Sequence, residues 1–140
     1  MDSDVPDPIT DEELLYRRIP AQWFDPDLKE VNSAAFAPHK ERDTSGLSVW
    51  RAKFKSLEEV ARGQPGKIYY VAVLNVADLI AAGIRVVPQP DVPGGYDIAH
   101  AELPDLNSTI RKDSKTIETT MALARLCRSV EGPFTTLPTE

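Results

Sequence analysis

His100 and Glu102 are the residues whose types and spacing are most suggestive of chemistry. They lie two positions apart in a segment with the alternating pattern of a strand. Residues two apart in a strand share a face of the sheet, so the imidazole and the carboxylate are expected on one side. A histidine oriented by a carboxylate can act as a general base or bind an anion. The simpler interpretation, which the sequence favours, is a rim histidine satisfied by water or by a main-chain carbonyl.

A serine-hydrolase triad can also be drawn from Ser48, His100 and Asp97. Such a triad is recognised by the placement of its members, because any chain of this length contains the residue types. The sequence has no Gly-x-Ser-x-Gly turn, and Ser48 falls within a predicted strand. The sequence alone therefore does not support a triad.

Arg17 and Arg18 raise a different question, because they are adjacent in a segment that is typical of a strand, residues 14–19. Adjacent strand residues point to opposite faces, so one of the two guanidinium groups is expected to point inward. A buried charge needs a partner, and we expect a carboxylate or a bound ligand. This requirement is the best indication of a site that the sequence contains.

Two other motifs are better explained by structure than by chemistry. Residues 63–67, Gly-Gln-Pro-Gly-Lys, resemble part of a phosphate-binding loop, but a helix precedes them and Ile68 stands where that loop needs Ser or Thr. They are predicted to form a turn. Cys127 lies among apolar helix positions and is expected to be an inert core residue. With one cysteine and two histidines in the chain, neither an internal disulfide nor a metal site is expected.

Composition narrows the class of protein. The chain has 140 residues, with 22 acidic and 16 basic side chains and a formal net charge of −6. The acidic balance argues against binding to duplex nucleic acid, because phosphate affinity comes from clustered Lys and Arg. No stretch is long and apolar enough to cross a membrane, and the first residues lack the pattern of a signal peptide. These features predict a cytoplasmic protein with no membrane contact.

The sequence divides into a central domain and two tails. Residues 1–9 are acidic and contain two prolines, which predicts a flexible, extended tail. Residues 10–131 are expected to form a single α+β domain, and residues 132–140 a flexible C-terminal tail. Residues 21–45 show no clear period, so they are expected to hold either a short strand or a working loop.

Capping signals place the helices. Ser56 and Glu59 form a capping box, and Asn75 can cap a second short helix that ends at Gly83. A third helix, predicted over residues 115–130, has a broad apolar face and is expected to pack deeply against the sheet or against a partner.

Strand patterns occupy most of the remaining sequence. The strongest strand is apolar on both faces, which indicates a central position in a covered sheet. We predict an α+β fold with a mainly antiparallel sheet of about four to five short strands, two short helices and a packed C-terminal helix. The strands are expected at residues 14–19, 46–51, 68–74, 84–87 and 97–103.

Four short motifs resemble, in their order, a group of small bacterial proteins of uncharacterised activity. They are Leu15–Ile19, Ser33–Phe36, Leu47–Val49 and His100-Ala101. The resemblance spans about residues 14–103 and implies a bacterial protein, with no activity to transfer.

The order of an arginine on a first strand, a serine on a second and a glutamate on a late one is also similar to that of ADP-ribosyltransferase-like domains. This resemblance implies NAD as a cofactor, with Arg17 or Arg18 on the pyrophosphate and Ser48 on the nicotinamide ribose. It further implies that Glu102 stabilises an oxocarbenium-like transition state.

The leading prediction is a non-catalytic interaction or accessory domain that binds a partner protein in a bacterial multi-protein system. It needs no cofactor, and self-association is left open. Aromatic and apolar side chains dominate protein interfaces. The expected contact residues are Trp23, Phe24, Trp50, Ile117, Met121 and Leu126.

Two alternatives accompany it. The first is an ADP-ribosyltransferase-like or nucleotide-binding domain, with NAD in a cleft formed by Arg17 or Arg18, Ser48, His100 and Glu102. The second is an acidic antitoxin or immunity protein, whose net charge of −6 would mask a basic surface.

Overall fold

A computed structural model describes residues 7–40, 43–110 and 112–136. Three α-helices and ten strands are assigned within these residues. In chain order they are β1 (Leu14–Pro20), β2 (Phe24–Asp25), β3 (Glu30–Val31), β4 (Leu47–Arg51), α1 (Leu57–Ala61), β5 (Ile68–Asn75), α2 (Val76–Ala81), β6 (Val87–Pro88), β7 (Asp91–Val92), β8 (Gly95–Tyr96), β9 (His100–Leu103), α3 (Ser114–Leu126) and β10 (Ser129–Thr135).

Six strands form the main sheet, in the order β10-β5-β1-β4-β9-β6, and every pairing in it is antiparallel. This confirms the predicted α+β class and the antiparallel sheet. The strand count differs, because β10 was not predicted. The expected strand at 84–87 is also shorter, since only Val87 and Pro88 pair with β9.

Strand β10 occupies the end of the predicted third helix and the start of the predicted C-terminal tail. Helix α3 stops at Leu126, and β10 then pairs with β5 from Ser129 to Thr135. The register shifts between Glu131 and Phe134, where Gly132 has a φ of 129°, a conformation that favours glycine. Strand β5 thereby gains a neighbour on each side, as its apolar character requires. Residues 137–140 of the predicted tail lie outside the described residues.

One face of the sheet, which we call the core face, carries the main apolar core. Most of its apolar strand residues are fully buried, and they alternate along the strand, as Leu47 and Val49 do in β4. Helices α2 and α3 cover them with Leu79 and Leu123. Burying each such side chain stabilises the fold by about 1.5–3 kcal/mol.

Helix α3 packs less deeply than its apolar face predicted. Its buried residues are Thr116, Thr120 and Leu123, which follow one another at helical spacing. Ile117 and Met121 lie beside that stripe and are 49% and 46% exposed. The two threonines occupy the buried positions that the prediction assigned to the larger apolar residues.

The opposite face of the sheet is covered in part by α1, which packs against β1, β5 and β10. The predicted capping box begins this helix: the Glu59 amide donates to the Ser56 hydroxyl at 3.2 Å, and the Ser56 amide donates to the Glu59 carboxylate at 3.1 Å. Asn75 caps α2 as predicted. On β4 and β9, this opposite face carries polar side chains.

The two uncertain regions of the sequence both contain local structure. Residues 21–45 hold the β2–β3 hairpin, which follows a 3₁₀ turn at Ala21–Trp23 and precedes another at Ser33–Phe36. In the predicted N-terminal tail, residues 1–6 lie outside the described residues, whereas Ile9 packs against the main core.

Candidate functional site

The residues predicted to do chemistry on β4 and β9 meet on the face opposite the main core. Ser48 stands directly across from Glu102 in the ladder, and Trp50 stands across from His100. Cross-strand neighbours on one face have Cβ atoms about 4.5–5.5 Å apart. We call Ser45, Ser48, His100 and Glu102 the polar cluster.

His100 makes a hydrogen bond through each ring nitrogen. Its Nδ1 lies 2.6 Å from the Gln89 carbonyl oxygen, and its Nε2 lies 2.9 Å from Ser48 Oγ. A carbonyl oxygen can only accept, so Nδ1 carries a proton. In the neutral imidazole Nε2 is then an acceptor, and the Ser48 hydroxyl donates to it. The ring is therefore oriented as a base toward the serine.

The Gln89 carbonyl is held in place by its own main chain. The Gln89 amide donates to the His100 carbonyl at 3.0 Å, which extends the β6–β9 ladder by one residue. Pro88 and Pro90 flank Gln89, and a following proline restricts a residue to extended conformations. Sequence reasoning missed this partner, although the Pro-Gln-Pro motif indicates a rigid extended segment.

Glu102 completes the polar cluster from the other side of Ser48. Its carboxylate accepts hydrogen bonds from the Ser45 hydroxyl at 2.9 and 3.1 Å. Glu102 and His100 are each 7% exposed, whereas Ser48 is half-buried and Ser45 is exposed. The serine hydroxyls are thus the accessible members of the cluster.

Asp97 does not orient His100 in the manner of a triad. Its carboxylate accepts from Lys55 Nζ at 2.7 Å and from the Ala99 amide at 3.0 Å. Burial alone would raise the pKa of Asp97, but the hydrogen bonds from Lys55, Ala99 and Trp50 outweigh it and lower the pKa below its usual value. The Gln89 carbonyl, rather than this carboxylate, lies on the Nδ1 side of the imidazole.

Arg17 is the inward-pointing arginine, and it donates hydrogen bonds to two main-chain carbonyls. It donates to Ala35 O at 3.1 Å and to Ser48 O at 2.9 Å. The β1–β4 ladder has only the pairs Leu15–Arg51 and Tyr16–Trp50, so the Arg17 guanidinium bridges the strands beyond them. Because alternate residues of β1 share a face, Arg17 lies on the core face with Leu15, not on the face of His100.

Arg18 points to the other face, as the alternation predicted. Its guanidinium donates to the Arg62 carbonyl and lies 5.1 Å from the centre of the Tyr69 ring. It therefore links β1 to the end of α1 and to β5. These contacts account for Arg18 without a bound ligand.

Sequence reasoning missed the most buried ion pair of the described residues, Glu13 with Arg51. The two guanidinium nitrogens Nε and Nη2 each donate to a Glu13 carboxylate oxygen at 2.7 Å, and Arg51 is 1% exposed. Arg51 also donates to the carbonyls of Asp7 and Pro8. Burial would raise the pKa of Glu13, but the Arg51 and Thr10 hydrogen bonds lower it overall.

The predicted partner-binding aromatics Trp23 and Phe24 line an open concavity of about 440 Å³ on the β2–β3 hairpin. We call it the hairpin concavity. Asp25 and Glu30 add carboxylates to its wall. The full lining is Gln22, Trp23, Phe24, Asp25, Pro26, Glu30, Val31 and Asn32.

The other predicted contact residues lie in three different environments. Ile117 and Met121 are exposed on α3. Leu126 packs in part against the main core, and Trp50 packs against the smaller apolar cluster under α1. Cys127 is half-buried, and burial raises the pKa of its thiol to about 11, which disfavours the reactive thiolate.

Comparison of the chain with protein-family models, with curated proteins and with solved structures finds no match. Among the described helices, none has both the length and the apolar character that crossing a bilayer requires. In the same part of the chain, no three His, Cys, Asp or Glu side chains are grouped so that they could hold a metal ion.

Proposed function

We propose that this protein is an interaction module, which binds a basic segment of a partner protein in the hairpin concavity. The observation that carries the proposal is the joint presence of two aromatic side chains, Trp23 and Phe24, and two carboxylates, Asp25 and Glu30, around one open concavity. Aromatic faces and carboxylates both attract Lys and Arg side chains.

The charge of the chain favours such a partner. The net charge is −6, and residues 22–32 contain Asp25, Asp27 and Glu30 against a single Lys29. Complementary charge accelerates association and excludes acidic partners. The acidic antitoxin or immunity protein is one form of this proposal, in which the basic partner is a toxin.

The concavity is also organised before a partner arrives. The Phe24 ring packs against Tyr70 with ring centres 4.6 Å apart. One Asp25 carboxylate oxygen accepts from the amides of Asp27 and Leu28, which fixes the hairpin turn. A surface that is already ordered loses less conformational entropy on binding.

Helix α3 provides exposed apolar side chains in addition to the concavity. It contacts β3 of the hairpin, and its Ile117 and Met121 side chains are among the exposed large hydrophobic residues. A basic segment with an apolar side chain nearby would match both features.

Tryptophan fluorescence tests the proposal, because the chain has only two tryptophans, Trp23 and Trp50. In a Trp50→Phe variant, Trp23 alone reports on the concavity. We expect a saturable change on titration with an oligo-arginine peptide, and a weaker affinity when ionic strength rises from about 0.05 to about 0.5 M, because salt screens the interaction. An oligo-glutamine peptide is the matched control and should leave the emission unchanged.

The double variant Asp25→Asn, Glu30→Gln separates the charges from the shape of the concavity, since both amides keep the side-chain size. It should bind oligo-arginine at least tenfold more weakly, which corresponds to about 1.4 kcal/mol. Equal binding by this variant, or no response of Trp23 in the parent, would contradict the proposal.

A nucleotide-binding domain is the second candidate, and the observation that favours it is the shared face of Ser48, His100 and Glu102. It predicts that NAD raises the melting temperature, because selective binding to the folded state stabilises it. Arg18→Ala should then abolish that rise, with Arg85→Ala as the control. An unchanged melting temperature with NAD would contradict this candidate.

A further inference from the structure

We propose that Ser48 is an activated nucleophile, with His100 as its general base, which accepts the acyl group of a small ester. This activity is separate from partner binding in the hairpin concavity. It rests on three groups joined by hydrogen bonds: the Gln89 carbonyl, the His100 imidazole and the Ser48 hydroxyl, at 2.6 and 2.9 Å.

The arrangement meets the geometric requirements for base-assisted attack. The serine and the base are within hydrogen-bond reach, and a third group orients the base. Trp50 packs edge-on against the imidazole, with ring centres 5.9 Å apart, and this limits ring rotation. The hydrogen bond to Gln89 fixes the proton on Nδ1, so Nε2 is the nitrogen that can accept the serine proton.

The charge that forms on His100 also has a counter-charge close by. When Nε2 takes the proton, the imidazole becomes a cation. Glu102 lies two residues away on the same strand and faces the same side.

The step balances as an ordinary acyl transfer. Ser48 Oγ forms a bond to the ester carbonyl carbon, and its proton passes to His100 Nε2. The bond to the leaving alkoxide breaks, and His100 returns the proton to it, so that an alcohol departs. Water then repeats the sequence on the acyl-serine and releases the carboxylic acid.

Access limits the substrate to a small ester. His100 is 7% exposed and Ser48 is half-buried, so the serine can be reached only from its open side. The hairpin concavity is lined by none of the polar-cluster residues. A compact acyl group therefore fits better than a long chain.

Ser45 provides an internal control. It is exposed and lies in the same cluster, but its hydroxyl donates to a carboxylate and does not contact the imidazole. Exposure alone would make Ser45 the more reactive residue, whereas activation by His100 makes Ser48 the more reactive one.

The experiment is labelling of the full chain with a small alkyl fluorophosphonate, followed by peptide mass mapping. Ser48 Oγ would form a bond to phosphorus, fluoride would leave, and the proton would pass to His100. We expect one adduct, on Ser48, with Ser45 unlabelled. His100→Gln should slow labelling by about a hundredfold or more, Ser48→Ala should abolish it, and Ser45→Ala should label at the parent rate.

The parent chain alone can overturn the proposal, so the result does not depend on a variant that folds. Labelling of Ser45 in preference to Ser48, or no adduct on Ser48, would show an unactivated hydroxyl. Equal labelling rates for the parent and a folded His100→Gln would show that the histidine does not act as the base.

Discussion

The chain places carboxylates in two contrasting settings, one closed and one open. Glu13 is 7% exposed, and both of its carboxylate oxygens accept from Arg51. Asp25 and Glu30 are exposed on the wall of the hairpin concavity. A buried carboxylate must be satisfied by the protein itself, whereas an exposed one can be satisfied by a partner. The comparison assigns Glu13 to the stability of the fold and leaves the hairpin acids available for the proposed binding.

Breaking the Glu13–Arg51 ion pair should have the largest effect on stability. Arg51→Ala leaves Glu13 as an unpaired buried charge, and it releases the carbonyls of Asp7 and Pro8. We expect a loss of about 3–5 kcal/mol in the free energy of unfolding, measured by urea denaturation. Arg85→Ala, which removes the exposed end of the pair with Asp105, is the matched control and should change stability far less.

A double variant sharpens this result. Replacing both partners, with Glu13→Leu and Arg51→Met, removes the charges together and should cost less than the sum of the single losses. Additive losses would show that the two side chains stabilise the fold independently. That result would contradict the interpretation of Glu13 and Arg51 as one coupled ion pair.

The next largest effect is expected from acid, which should weaken the Glu13–Arg51 ion pair. The folded state lowers the pKa of Glu13 below its ordinary value of 4.5, so the unfolded chain takes up the proton first as the pH falls. The stabilisation is thus present above about pH 4.5 and is lost as the pH falls through the lowered pKa of the folded state. Melting temperatures of the parent and of Glu13→Gln, measured between about pH 7 and pH 3, should converge at the acidic end. If the difference between the two melting temperatures stayed constant over this pH range, it would contradict the assignment of Glu13 to the stability of the fold.

Removing the serine of the polar cluster should have a smaller effect. Ser48→Ala leaves His100 Nε2 without its protein partner, but Ser48 is half-buried, so water can replace the hydroxyl in part. We expect a loss of about 1 kcal/mol in unfolding free energy. A loss of unfolding free energy as large as that of Arg51→Ala would show that Ser48 stabilises the fold as strongly as the buried Glu13–Arg51 pair does.

The open acids should have the smallest effect on stability. Asp25→Asn retains an oxygen that accepts from the Asp27 and Leu28 amides, and Glu30→Gln removes only charge. The unfolding free energy should stay within about 0.5 kcal/mol of the parent, even though binding of oligo-arginine falls. A large loss of unfolding free energy would show that Asp25 and Glu30 stabilise the fold itself, as Glu13 does.

Local signals predicted local structure well. The capping box at Ser56 and the cap at Asn75 depend on residues three positions apart, so the sequence contains the whole interaction. The continuous apolar run of β5 likewise predicted a strand with a neighbour on each side. These patterns were sufficient for the α+β class.

Long-range contacts could not be predicted in the same way. Glu13 and Arg51 are 38 residues apart, and β10 is defined by its pairing with β5 rather than by its own pattern. The orientation of His100 depends on a main-chain carbonyl, at Gln89, that every residue type supplies. Sequence reasoning could place His100 and Glu102 on one face, but it could not identify which group holds the imidazole.

Nuclear magnetic resonance of the ¹⁵N-labelled chain tests the central claim most directly, by titration with an oligo-arginine peptide. The account predicts that amide shifts change at residues 22–32, while the amides of Ser48, His100 and Glu102 stay in place. Changes centred on those three residues, or no localised change at all, would contradict the assignment of partner binding to the hairpin concavity.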